Sequence, residues 1–311
     1  MSARWPEASK PGLSTPPRRA DIDVLAHRLA TGSCFIIFVV GLLWLDATMG
    51  AVPIGSWSLP PGLLLAGAGS ILVGLGSLEL IRIAATTGIK TNATLTIGTT
   101  VCVMLATWLS SSLPEMFDAT IPLTIIVIAF VASLLQFSRG RCVEHAFAST
   151  AVVMLSAIYL GVLSGFLLLI GADISIWMIG GVALVVKSCD IGAYFTGRAI
   201  GRHKLIPWLS PGKTIEGLFG GIVGSMLAAL ILNLALGSPL AWWWVLIMGG
   251  VLAIVGQAGD LTMSLFKRGA GVKDSSTLLP GLGGVMDVID SLLLAAPVAW
   301  WMLRLSLCSE A

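Results

Sequence analysis

The chain has 311 residues, of which 56% are hydrophobic and only 11% charged, with a mean hydropathy of +0.95 and a formal net charge of +2. That composition excludes both a soluble globular domain and a disordered chain. The basic residues fall in five separate places rather than on one face, so no nucleic acid is expected as a partner, and the reading that remains is an all-α polytopic integral membrane protein.

Residues 1–27, rich in proline, serine and basic residues near the start, read as a disordered cytosolic tail with no cleavage pattern before the first span. Apolar runs long enough to cross a hydrocarbon core of about 30 Å follow at 29–45, 61–81, 95–113, 120–137, 146–171, 174–194, 217–236, 240–259 and 289–305, so about nine transmembrane helices are expected. Residues 28–145 form an expected transmembrane scaffold and 146–311 an expected catalytic region with cytosolic loops, and the first five spans are almost free of ionisable groups. Glu79 is the acid that departs from the scaffold pattern, and Arg82 one turn on is its expected partner. The five cysteines, Cys34, Cys102, Cys142, Cys189 and Cys308, form no C-x-x-C pair and indicate neither a disulfide frame nor a zinc site.

Lys and Arg collect in the tail and in the second, fourth, sixth and eighth connections, whereas the odd connections hold none; Lys187 and Arg304 are the exceptions. By the positive-inside bias the amino terminus and the even connections face the cytoplasm, in a bacterial cytoplasmic membrane. Trp242, Trp243 and Trp244, and Trp300 and Trp301, fall near the outer ends of the last two spans and read as interfacial anchors. The glycines of Gly217-Leu-Phe-Gly220-Gly-Ile-Val-Gly224 recur on one helical face, a spacing that permits close helix contact.

Charge then concentrates between Gly256 and Asp290, directly after one span and directly before the next. Ionisable groups beside a bilayer are expensive to keep and mark function. Asp260 ends the eighth run while Asp287 and Asp290 open the ninth, three apart and able to share a helix face. Carboxylates of this kind suit a hard cation such as Mg²⁺. The competing account of Asp287 and Asp290 is helix capping, and that of Lys273 and Asp274 a surface ion pair. Pro280-Gly-Leu-Gly-Gly284 reads as a turn whose backbone can approach a phosphate. Lys187 and Asp190, one turn apart inside the sixth span, are either a mutual ion pair or a wall of the polar cavity.

Ser210-Pro-Gly-Lys-Thr214 is superficially like a nucleoside triphosphate loop, but the required first glycine would fall at Pro207 and no strand is expected before it. It reads as a cytosolic loop before a helix start, where Lys213 and backbone N–H groups could receive a phosphate. Arg198, Arg202 and Lys204 are further candidates for phosphate or anionic lipid, or simply part of the positive-inside bias.

The segment resembles the signature of the phosphatidate cytidylyltransferases, S-x-x-K-R-x-x-x-x-K-D-x-x-x-x-x-P-G-H-G-G-x-x-D-R-x-D, with Ser264, Lys267, Arg268, Lys273, Asp274, Pro280, Gly281, Gly283, Gly284, Asp287 and Asp290 at matching positions. Leu282 stands where that family has His, Val288 where it has Arg, and Met263 where a Glu commonly follows the G-D-L element. A second block, Asp190-Ile-Gly-Ala-Tyr-Phe-Thr-Gly-Arg198 with the stretches up to Gly217, is similar to the family's other conserved region. The resemblance implies transfer of a cytidylyl group from CTP to phosphatidate, with CDP-diacylglycerol and pyrophosphate as products and membrane lipids as surroundings. It implies Mg²⁺, with K⁺ able to share the site, held by Asp260 and Asp287, and a homodimer. Asp260, Lys273, Asp274, Asp287 and Asp290 are then the expected catalytic residues. Asp190, Ser210, Lys213, Thr214, Ser264, Lys267, Arg268, Gly283 and Gly284 are the expected substrate contacts. The departures at Leu282, Val288 and Met263 leave open a noncatalytic lipid- or nucleotide-binding paralogue, or a different lipid phosphate as acceptor.

Overall fold

The structure, a computed structural model, describes residues 19–49, 53–54, 57–58, 60–114, 116–140, 146–237, 239–276 and 283–310. Its helices are α1 (Arg19–Met49), α2 (Leu63–Thr86), α3 (Ala93–Ser112), α4 (Ile121–Gly140), α5 (Ala146–Ser156), α6 (Leu163–Asp173), α7 (Ile176–Ile200), α8 (Ile215–Ala235), α9 (Trp242–Gly269) and α10 (Val285–Glu310). A π-helical turn, Ala157–Val162, joins α5 to α6 into one continuous span. Among the described residues eight helices are long and apolar enough to cross a membrane, and α4 contributes a shorter apolar stretch, Ile121–Gln136. The chain is an integral membrane protein. Helix α1 takes in residues 19–27, assigned above to the tail; residues 1–18 lie outside the described residues, as does the expected turn at Pro280-Gly281-Leu282.

The helices outrun the apolar windows wherever charge continues a helical pattern. Helix α9 runs about ten residues past the expected end of its span, because LTMSLFKR carries good helix formers and no breaker before Gly269. It closes with Gly271 at φ 73°, its N–H bonded to the Arg268 carbonyl and that of Val272 to the Lys267 carbonyl, a Schellman ending. Asp260 therefore sits inside the helix rather than at its end.

Two helix starts borrow caps from neighbouring helices. The buried Asp46 carboxylate on α1 accepts the N–H groups of Gly62 and Leu65, at 3.1 and 2.8 Å, at the start of α2. Glu79 on α2 does the same for α10. A helix end in lipid has no water to satisfy its free N–H groups, so a carboxylate from an adjacent helix has to supply the acceptors.

Outward faces are apolar, as in the exposed stripe Phe219, Val223, Leu227 and Ile231 on α8. Inside, one cluster gathers Ile170, Val185, Leu252 and Ala295, and another gathers Val73, Met104, Leu160, Met263 and Met286. The second cluster joins α2 and α3 to the π turn, α9 and α10, so the expected scaffold and catalytic regions interlock. Buried hydroxyls add interhelical bonds, with Thr100 and Ser156 Oγ atoms 2.8 Å apart and Ser156 donating to Ser77 at 3.1 Å. The glycine stripe of α8 is used for packing: a Cβ at Gly221 would lie 2.8 Å from the Cys189 carbonyl oxygen of α7.

Trp242, Trp243 and Trp301 are exposed, as interfacial anchors should be, but Trp300 is not. It is buried, and its indole donates to Asp173 Oδ2 at 2.8 Å beneath the Arg304 guanidinium. Ser111 donates to the other oxygen of Asp173. This polar latch ties the ends of α3, α6 and α10.

Candidate active site

At the other end of α10, charged side chains from α2, α7, α9, α10 and a β-hairpin converge. Two short antiparallel pairs are described, β1 (Pro53–Ile54) with β2 (Trp57–Ser58) between α1 and α2, and the hairpin of the site, β3 (Lys204–Ile206) with β4 (Ser210–Thr214). The segment expected as a plain loop is therefore a strand pair, because Pro207-Trp208 makes a tight turn between two short extended runs. It is still not a triphosphate loop, since Gly212-Lys213-Thr214 lies in strand β4 and Pro207 stands at the first glycine position. Thr214 caps α8 by accepting the Gly217 N–H at 3.1 Å. Glu216 takes the backbone N–H groups of Arg202 and His203 and the His203 ring at 2.6 Å, anchoring the hairpin's entry.

From the hairpin, Lys213 reaches into the helices. Its ammonium pairs with Asp260 and donates to Gln257 Oε1 at 2.8 Å. The other end of the same amide donates to Asp190 Oδ1 at 2.9 Å, and Asp190 Oδ2 lies 3.7 Å from Lys187 Nζ. Lys187 also donates to Ser291 on α10 at 2.8 Å. Lys187 and Asp190 thus form their mutual pair and are joined through Gln257 to Lys213, without themselves lining the adjacent cavity. Gln257, not singled out in the sequence, is the relay that joins them to Lys213; it lies one turn before Asp260, on the same helix face.

A second network centres on Asp287. Its Oδ1 takes the Lys267 ammonium at 2.6 Å, and its Oδ2 accepts from Ser275 Oγ at 2.8 Å and from the Gly284 N–H at 3.1 Å. Asp287 thus pairs with Lys267 and also makes the expected capping bond, to the Gly284 N–H at the start of α10. Glu79 does not pair with Arg82. Fully buried, it accepts from Ser276 Oγ at 2.5 Å, Ser275 Oγ at 3.1 Å and the N–H groups of Val285 and Met286, each at 2.9 Å.

Asp290 lies between the networks, buried and accepting its own neighbour's Ser291 N–H. A Cβ at Gly259 would lie 2.5 Å from the Asp290 carbonyl oxygen, which puts Asp260 at the level of Asp290. Asp287 instead pairs with Lys267, about two turns further along α9. Among the described residues Tyr159, in the π turn, has a buried hydroxyl without a hydrogen-bond partner, and its ring packs edge-on to Phe266 at 5.7 Å. A π turn is often a functional feature, but nothing in the sequence pattern signals it.

A cavity of about 380 Å³ opens beside the first network, lined by Tyr194, Arg198, Lys204, Lys213, Gly217 and Gln257. Lys273, Asp274 and Arg268 are exposed and make no ion pair among the described residues, so Lys273 and Asp274 are not paired with each other. Ser210 and Ser264 are half-buried and stand outside both networks. Gly283 adopts φ 90°, and Gly284 has no room for a side chain, since a Cβ would come within 2.6 Å of Glu79.

No three His, Cys, Asp or Glu side chains converge at metal-ligating distance among the described residues. The expected ligands Asp260 and Asp287 belong to different networks and each holds a lysine. Each of these ligands thus brings a single carboxylate, and a hard cation that takes one or two carboxylates would complete its shell there with phosphates and water.

Fold and site together define a polytopic helical membrane protein with a polar site of lysine–aspartate pairs at one end of its bundle. The profile described as "Cytidylyltransferase family" matches residues 26–306, and the chain belongs to that family. It is 37% identical over 182 residues to the phosphatidate cytidylyltransferase of Bacillus subtilis (strain 168), covering 57% of this chain and 68% of the relative. It is 37% identical over 176 residues to the phosphatidate cytidylyltransferase of Staphylococcus saprophyticus, covering 56% and 66%. It is 46% identical over 131 residues to the uncharacterized protein YnbB of Escherichia coli (strain K12), covering 40% and 44%. The matched stretch thus spans less than two thirds of the length of the last two relatives.

Proposed function

We propose that the protein transfers the cytidylyl group of CTP to phosphatidate, releasing pyrophosphate and leaving CDP-diacylglycerol in the membrane. A phosphate oxygen of phosphatidate attacks the α-phosphorus of CTP in line, and the bond from that phosphorus to the bridging oxygen of the β-phosphate breaks. The attacking oxygen is already ionised, so no general base is required. What the chain must supply is position and positive charge.

The observation that carries this reading is the Lys213–Asp260 pair. It sets a cation able to receive phosphate and an acid able to hold a divalent ion at one point, with Lys213, Arg198 and Lys204 lining the adjacent cavity. Lys267 supplies a second cation beside Asp287. Mg²⁺ would be held by Asp260 and Asp287 and would neutralise charge on the triphosphate, with K⁺ as a further cation of the same site. Each lysine is placed to exchange its carboxylate for a substrate phosphate where a cation takes over at the acid. The positive-inside bias supports a site facing the cytoplasm of a bacterial cell, where CTP is found, with the amino terminus inside. The homodimer implied by the resemblance belongs to the same proposal.

The test is incubation of the purified chain in lipid with labelled CTP, phosphatidate and Mg²⁺. The expected result is labelled lipid and an equal amount of pyrophosphate, both lost in Asp287→Asn. If wild-type labelling does not exceed that of the variant, the noncatalytic paralogue replaces this reading, as Leu282 and Val288 would then suggest.

A further inference from the structure

Glu79 lies on α2, outside the region that carries every other acid of the site, yet its carboxylate is fully buried against that site. Four donors converge on it: Ser275 Oγ and Ser276 Oγ from one chain segment, and the N–H groups of Val285 and Met286 from another. These two segments flank residues 277–282 in the sequence. Only a carboxylate offers acceptors on both of its outer atoms; a glutamine would turn an N–H₂ toward two of the four donors.

The Ser275 hydroxyl is the second part of the device. Its oxygen is 3.1 Å from Glu79 Oε2 and 2.8 Å from Asp287 Oδ2. It has one hydrogen and two carboxylates within reach, so it donates to only one of them at a time. The turn of Gly284 is closed over this contact so tightly that a Cβ there would meet Ser275 Oγ.

We propose that Glu79 is a positioning residue of the transfer reaction, acting through Ser275 on the orientation of Asp287. It holds Ser275 and the first N–H groups of α10 in place, and the shared hydroxyl lets Asp287 give up one hydrogen bond from Ser275 when a cation engages it, while Glu79 takes the hydroxyl. The inference rests on the transfer reading for its role in catalysis, and on the geometry alone for the clamp.

The experiment uses the full chain in lipid, with Glu79→Gln, Ser275→Ala and Ser275→Thr beside wild type. Catalytic constants and KM for CTP are measured per folded molecule, together with hydrogen exchange over residues 275–287. Because small misplacement of reacting groups is costly, kcat is expected to fall by roughly 10- to 100-fold in Glu79→Gln and Ser275→Ala, with KM for CTP changing far less. Ser275→Thr, which keeps the hydroxyl, is expected to restore most of it. Exchange over 275–287 is expected to rise by about 10-fold or more in Glu79→Gln. Unchanged kcat in folded Ser275→Ala overturns the positioning role and leaves Glu79 a helix cap. If Glu79→Gln does not fold, the two serine variants still decide. If wild type shows no transfer, the functional reading has failed separately, and unchanged exchange in Glu79→Gln, or in Ser275→Ala when Glu79→Gln is unfolded, overturns the clamp itself.

Discussion

Lys267 Nζ lies 2.6 Å from Asp287 Oδ1, and each of the two side chains is only 14% exposed. Removing one member of so enclosed a pair leaves the other charge buried without compensation, which costs about 3–5 kcal/mol, whereas removing both costs much less. Lys267→Met is therefore expected to be less stable than the double variant Lys267→Met/Asp287→Asn, as measured by thermal unfolding in detergent. Both are expected to lose transfer activity. A single variant as stable as the double would mean that the pair is hydrated and does not hold a desolvated charge.

Lys213 makes a different prediction, because the hairpin that carries it is fastened elsewhere. Glu216 holds the backbone at Arg202 and His203, and Thr214 caps α8, so Lys213→Met leaves those bonds intact. The unfolding midpoint is expected to move little while transfer falls by roughly 10²- to 10³-fold, the scale of losing one electrostatic donor to developing charge. Lys213→Arg is expected to recover only part, since a planar fork cannot bridge Gln257 and Asp260 as a compact ammonium does. A midpoint shift as large as the activity loss would make Lys213 a structural residue.

The spans and the acids of the ninth run were legible because apolar length and isolated charge are local properties of a sequence. All nine expected runs are helices, and Asp190, Lys213, Asp260, Lys267, Asp287 and Asp290 do come together at one end of the bundle. The partnerships were less legible. Arg82 is one turn from Glu79 and looked like its partner, yet the free N–H groups of α10, more than 200 residues on, compete better for a buried carboxylate. The hairpin was missed because its strands are too short to show a period of two. Trp300 was misplaced because an aromatic near a span's end reads the same whether it faces lipid or a buried aspartate. Gln257 carries no charge and so stood out from its apolar helix too weakly to be noticed.

The latch at the far end gives a control that separates stability from chemistry. Trp300 donates to Asp173 at 2.8 Å, a hydrogen bond to a charged group in a partly buried setting. Trp300→Phe keeps most of the ring but removes the donor, with an expected loss of about 1.5–3 kcal/mol. Trp300 is 13 residues along α10 from Asp287, roughly 20 Å at 1.5 Å per residue. Unfolding in detergent is expected to occur at lower temperature while transfer per folded molecule is unchanged. A drop in kcat with no loss of stability would show that the two ends of α10 are coupled.

Removal of divalent ions tests how the site is completed. No protein cage of three or more ligating side chains exists among the described residues, and Asp260 and Asp287 hold lysines in separate networks. A hard cation that takes one or two carboxylates relies on phosphates and water for the rest of its shell. Mg²⁺ alone is therefore expected to shift the unfolding midpoint little, CTP alone is expected to bind weakly, and the two together to stabilise the protein well beyond the sum. Chelation is expected to abolish transfer and to remove that joint stabilisation. In Asp260→Asn the joint effect is expected to shrink even where the variant folds normally. Tight binding of Mg²⁺ without nucleotide would require a ligand set that the two networks do not supply, and would overturn this account of the site.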